Sequence, residues 1–149
     1  MIPGEVICDV ARSFRGVPYL HQGRTRQGMD CLGLLVATAT ECGFPPEGIP
    51  IVYGLEPEPR QLLEGLDQYL LRLKTQDALP GDILLVRLTI TRGHPRLTAP
   101  QHLVVLLEDD QCIHAARDAG SVIQHPLASD WRQVPFRAYR YPFRTAAHG

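Results

Sequence analysis

The chain has 149 residues, 44% hydrophobic and 21% charged, and a formal net charge of −1. That balance is ordinary for a globular protein and enough to bury a core, and the length predicts one domain over 1–149. The near-zero charge and the lack of a lysine cluster exclude a general nucleic-acid binder. No run approaches the roughly 20 apolar residues of a membrane-spanning helix, so no membrane is expected as a partner. The opening "MIPGEVICDVARSFRG" has no basic start followed by an apolar run. It therefore predicts synthesis in the cytoplasm without a secretory signal, any export depending on another carrier.

Residues 4–14 place Val6, Ile7, Val10, Ala11 and Phe14 on one helical face, with Pro3 suited to the first turn. "RGVPYLHQGRTRQGMD" carries Gly16, Pro18, Gly23 and Gly28 and reads as an irregular loop. "CLGLLVATATECG" is apolar and small, a buried helix capped by Asp30 and stopped by Gly43. A proline-rich connection, "FPPEGIPIVYGLEPEP", leads to "RQLLEGLDQYLLRLK", whose leucines recur at helical spacing. Beyond "LPGD" the character changes. "ILLVRLTI", "HLVVLLED", "CIHAA", "SVIQH" and "FRAYRYPF" are short, β-rich and separated by turns. Helices first and an antiparallel sheet of about five strands second predict an α+β domain. The tail from 143 to 149 is expected to fray.

Cys31 stands where the loop becomes the helix. A helix N-terminus favours a thiolate, and its unpaired N–H groups point where an oxyanion could collect. Gly28 and Gly33 leave room for a substrate backbone. A nucleophilic thiol needs a base. His102 and His114 lie in apolar strands on either side of the "EDDQ" turn, so a hairpin would bring both imidazoles together. One could take the thiol proton while the other orients it.

Several separated pieces, "GVPYLHQG…DCLGLL", "LPGDILLV" and "QHLVVLLEDDQCIHAA", resemble in their order the NlpC family of papain-like cysteine peptidases. The resemblance runs from about Ala11 to about Ala116. The segment "VIQHPLASDWRQVPFRAYRYP" is similar to the closing strands of phage tail-associated cell-wall peptidases. The resemblance implies a papain-like fold, catalytic residues Cys31, His102 and His114, and no cofactor. Tyr19 would help form the oxyanion or substrate subsite, and Asp30 would meet the free amine of a stem peptide. The implied substrates are peptidoglycan stem peptides, cut between D-γ-glutamate and diaminopimelate or lysine. Phage tail proteins are implied as partners, and a virion would deliver the enzyme to the wall. Leu32 replaces the family's serine after the cysteine, and Leu20–Gly23 replaces its Gly-Gly, which bears on the stem peptide accepted.

Plainer readings stand beside these. Cys8, Cys42 and Cys112 read as reduced, buried hydrophobes. His21, His94 and His125 read as surface or loop histidines, and Trp131 as a local anchor. Arg24 and Arg26 read as solvated loop charge, and Asp82 as the end of a turn entering a strand. Two other functions remain open. Cys31, His102 and His114 could ligate a catalytic zinc, or the chain could be a non-catalytic tail-assembly or wall-binding module that retains an inherited site.

Overall fold

The computed structural model describes residues 1–47, 59–90, 97–127, 131 and 137–145. Helix α1 (Gly4–Arg12) buries Ile7 and Ala11 of the face its spacing predicts, but Val6 on that face is exposed, Val10 is only partly buried, and Cys8 is buried instead. It ends before Phe14, which is buried in the turn that follows. The loop after it is less irregular than expected. Strands β1 (Arg24–Thr25) and β2 (Gly28–Met29) form a minimal hairpin, and Tyr19 and Pro18 bridge Met29 and Ser121. Arg26 is not simply solvated. It pairs with Glu41 at 2.9 Å, donates to the Ser13 carbonyl at 3.0 Å, and lies over the Phe14 ring.

Helix α2 (Cys31–Glu41) buries Gly33, Leu34, Leu35, Ala37, Thr38 and Ala39. Small and apolar residues nearly all round suit a helix enclosed by other elements, and α2 packs against α1 and the sheet. Gly43, at φ 91°, takes the left-handed conformation that ends the helix. Much of the proline-rich connection, and His94, lie outside the described residues. Helix α3 (Pro59–Tyr69) is shorter than its leucine pattern predicts, because Leu71–Leu73 leaves it as strand β3. There it pairs with the otherwise open edge of the last strand, satisfying backbone groups in a way local periodicity does not reveal.

With β4 (Ile83–Ile90), β5 (Leu97–Leu106), β6 (Gln111–Ala116), β7 (Ser121–Pro126) and β8 (Arg137–Arg140), β3 completes a six-stranded antiparallel sheet. The order is β3-β8-β4-β5-β6-β7. The fold is α+β and papain-like as expected, with β3 as the extra strand. Alternation sorts the sheet's side chains. Ile83, Leu85, Leu103, Val105, Ile113 and Ala115 join the main core with α1 and α2. Leu84, Val86, Val104, Cys112 and Ala138 form a second cluster on the reverse face, joined by Leu73, Leu127 and Trp131. Burial on both faces explains the unbroken apolar run "ILLV".

Asp82 does more than end a turn. Its carboxylate is fully buried and accepts from the Leu79 N–H at 2.8 Å and from Arg140 at 2.7 and 2.9 Å, with Arg144 Nε at 3.6 Å. Arg144 is fully buried too and donates to the carbonyls of Pro80 and Thr145. This corrects the expected fraying from residue 143. Phe143 and Arg144 are buried, and the Thr145 N–H donates to Ile2 at 2.9 Å. The last four residues, 146–149, lie outside the described part.

Candidate active site

The site begins at Asp30, which leaves β2 with extended backbone and caps α2. Its Oδ1 accepts the Gly33 N–H at 2.8 Å and its Oδ2 the Gln22 N–H at 2.8 Å. His21 Nδ1 stands 3.9 Å from Oδ2. One buried carboxylate thus fixes both the first turn of the helix and loop 20–23. Close approach explains the glycine at 33. A Cβ there would lie 1.8 Å from the Gly23 carbonyl oxygen. Recognition of a substrate amine, the other task expected of Asp30, would need an exposed oxygen, and the residue is only 3% exposed.

Cys31 opens the helix half-buried. The backbone N–H groups of Leu103 on β5, of Leu32 and of Cys31 itself lie near its sulfur and favour the charged form. The helix N-terminus was expected to depress the thiol pKa, and the opposite holds. Burial, with the charge of Asp30 next, pushes it up to about 11 against the pull of those three N–H groups. Tyr19 sits within electrostatic reach of Cys31 and Asp30. Burial, then those two charges, raise its hydroxyl to about 12, so it remains a donor at neutral pH. Arg117, in the turn after β6, acts on Tyr19 in the other direction.

The histidines lie along the reverse face of the sheet. Strand β5 carries an irregularity just before His102, where its partners on β4 step from Arg87↔Pro100 to Val86↔His102 and Gln101 bulges out of register. Bulges of this kind re-aim a side chain. His102 Nε2 lies 2.7 Å from His114 Nδ1 with the rings edge to face. This is the pairing expected across the "EDDQ" turn. The Cys31 sulfur therefore meets β5 at the residue directly after His102, while the His102 ring is held by His114. No direct hydrogen bond joins that sulfur to the His102 ring, and catalytic hydrogen bonds in unliganded sites are commonly long.

A third imidazole corrects the reading of His125 as a surface or loop residue. His114 Nε2 lies 2.7 Å from His125 Nε2, and His125 Nδ1 lies 2.7 Å from the Pro126 carbonyl oxygen. Its place was legible in hairpin register. Counting outward from "RDAG" pairs Ala116 with Ser121 and Cys112 with His125, which puts His125 diagonal to His114. Trp131 packs over all three rings, with centroids 6.1, 5.5 and 6.0 Å from His102, His114 and His125. Burial, then the neighbouring imidazoles, lower His102 to about 3. Burial, then His125, lower His114 to about 4, so both rings are neutral at pH 7.

Among the described residues, the group whose ligand atoms could hold a metal is Cys112, His114 and His125, within 4.8 Å of one another. Cys31, His102 and His114 do not form such a group, which removes the geometric basis for a zinc hydrolase built on them.

The family model for NlpC/P60 matches residues 16–140. The chain belongs to the NlpC/P60 family. Membership indicates a hydrolase of the cysteine-peptidase type. The NlpC/P60 domain of the peptidoglycan hydrolase SagA superposes with a TM-score of 0.63 at 22% identity, covering 93% of this chain and 98% of that one. An NlpC/P60 protein from Bacillus cereus gives 0.62 at 22% identity over 93% of this chain and 40% of its own. The peptidoglycan hydrolase RipB from Mycobacterium tuberculosis gives 0.53 at 19%, over 85% of this chain and 59% of its own. This NlpC/P60 chain thus spans nearly the whole SagA domain but only part of the longer proteins. No curated protein matches it.

Proposed function

We propose that the chain is a cysteine peptidase that hydrolyses peptide bonds in the stem peptides of bacterial cell walls. The observation that carries this is the paired His102 and His114 on β5 and β6, with a thiol at a helix N-terminus near the backbone N–H of Leu103, the residue after His102 on β5. In the acylation step the Cys31 S–H proton passes to His102 Nδ1 as sulfur attacks the scissile carbonyl carbon. The oxyanion is met by the N–H of the helix start and by the Tyr19 hydroxyl. His102 then protonates the leaving nitrogen, the C–N bond breaks, and a thioester remains. Water attacks the thioester, giving its proton to His102, and the thiol is restored. His114 orients the His102 ring through Nε2. Asp30 contributes by holding the thiol-bearing turn against loop 20–23.

The family resemblance makes the bond between D-γ-glutamate and diaminopimelate or lysine the preferred target. Its closing segment supports delivery by a phage tail. Both are tested by digesting purified muropeptides of the two chemotypes with mass readout, with and without tail proteins. Cys31→Ala should abolish cleavage and keep the fold. Cleavage by pure Cys31→Ala protein would end the proposal.

A further inference from the structure

The three imidazoles and one carbonyl form a chain whose proton positions are fixed from its far end. A carbonyl oxygen only accepts, so the 2.7 Å contact between His125 Nδ1 and the Pro126 oxygen places the His125 proton on Nδ1. In a neutral ring the other nitrogen is then a lone pair. His125 Nε2 must accept, and the partner 2.7 Å away, His114 Nε2, must donate. The same rule leaves His114 Nδ1 as a lone pair, so His102 Nε2 donates to it across 2.7 Å. His102 Nδ1 is therefore unprotonated. This is the nitrogen the proposed chemistry needs as a base, and no other assignment of neutral rings satisfies all three contacts. Cys112, 3.8 Å from His125 Nδ1, adds only a weak contact.

We infer that His125 is a positioning residue of the same site: anchored on the Pro126 carbonyl, it dictates through His114 the tautomer in which His102 can accept the thiol proton. The inference rests on the proposed function for its consequence in catalysis but not for its geometry. A wrong tautomer at a catalytic histidine can stop turnover with the fold intact. His114 alone does not settle the matter, because a neutral imidazole offers Nδ1 as donor or acceptor equally well. Trp131 packs against all three rings.

The test is the ring tautomers of ¹⁵N-histidine-labelled full chain by NMR at neutral pH, together with muropeptide cleavage. Wild type should show the Nδ1–H form at His125 and the Nε2–H form at His114 and His102. In His125→Leu the His114 and His102 rings should become mixtures. The kcat should fall about 10- to 100-fold, the usual scale for an outer-shell hydrogen-bond partner, with KM little changed. His125→Gln, whose amide oxygen can accept from His114 Nε2, should restore both the tautomers and most of kcat. Rescue by Gln and not Leu separates positioning from packing. An Nδ1–H form at His102 in wild type would overturn the inference, as would His125→Leu keeping wild-type tautomers. Should His125→Leu fail to fold, the wild-type spectrum and His125→Gln decide. Should the wild type cleave no wall peptide, the proposed function falls while the tautomers still give their own answer.

Discussion

Gly33→Ala isolates how closely loop 20–23 is pressed onto the helix that carries the thiol. The new methyl would stand 1.8 Å from the Gly23 carbonyl oxygen, against backbone rather than a flexible side-chain tip. That oxygen would have to retreat by about 1.2 Å merely to reach the shortest separation real Cβ atoms show, an overpacking expected to cost about 1–3 kcal/mol. The retreat cannot be local, because the Gly23 carbonyl accepts the Asp30 N–H at 3.3 Å, and Gln22 is tied to the Asp30 carboxylate. The shift is therefore delivered to the residue before Cys31. A displacement of about 1 Å at reacting atoms is worth roughly 100-fold in rate. Gly65→Ala in α3 is the control, since nothing lies within 4 Å of a Cβ there and alanine is the better helix former. Thermal unfolding should move down by several degrees for Gly33→Ala, at about 2–4 °C per kcal/mol for a chain of this size. It should hold or rise for Gly65→Ala, and muropeptide turnover should collapse in the first variant alone. Wild-type melting and turnover in Gly33→Ala would refute the packing argument.

Asp82→Asn removes the carboxylate between Arg140 and the buried Arg144, leaving cationic charge without its partner. Urea unfolding should show a loss of about 3–5 kcal/mol, whereas Asp67→Asn at the part-exposed pair with Arg137 should cost less than about 1 kcal/mol. The buried histidines set an acid limit to stability. Their folded pKa values are depressed to about 3 and about 4, so between pH 6.5 and about 4 the unfolded chain binds more protons. Stability should be complete above pH 6.5 and fall by a few kcal/mol across that window, and replacing His114 with Gln should flatten the slope seen in urea titrations. Because burial raises the Cys31 thiol to about 11, its alkylation by iodoacetamide, followed by peptide mass mapping, should keep accelerating beyond pH 9. A plateau already reached at pH 6 would show a preformed thiolate and contradict the burial argument.

What could be read from the chain depended on whether the deciding interaction was local. Cys31 as the first residue of a buried helix, Asp30 as its cap, and the His102–His114 pairing across a short turn all follow from neighbouring residues and hairpin register, and the structure contains each. The missed features depend on partners far along the chain. Leu71–Leu73 looks helical until the edge of β8 is available, and Arg144 looks like a loose tail until the buried Asp82 draws it in. His125 is the intermediate case. Its register was calculable from the "RDAG" turn, but only by pairing two strands whose histidines had been considered separately. The sign of the thiol shift was missed because a helix N-terminus is visible in sequence, while the depth at which it is buried is not.

Leu32 shows how a departure from a family pattern can have a structural cause. The family pattern has a serine after the nucleophile, so a leucine there bears on substrate choice. In the fold its side chain packs against the main core and lines an apolar cavity of about 420 Å³ with Leu35, Phe44, Tyr141 and Phe143. Phe143 stacks between Phe44 and Tyr141, and the Tyr141 hydroxyl donates to the Leu35 carbonyl at 2.7 Å. Leucine at 32 thus belongs to the contacts by which the tail after β8 holds α2. A serine there would remove apolar packing from the first turn of that helix and set a hydroxyl against apolar walls. Leu32→Ser should therefore lower the melting temperature, with a loss on the scale of about 1 kcal/mol for a partly buried leucine. If peptide preference changes while stability does not, the residue faces substrate and this packing account is wrong.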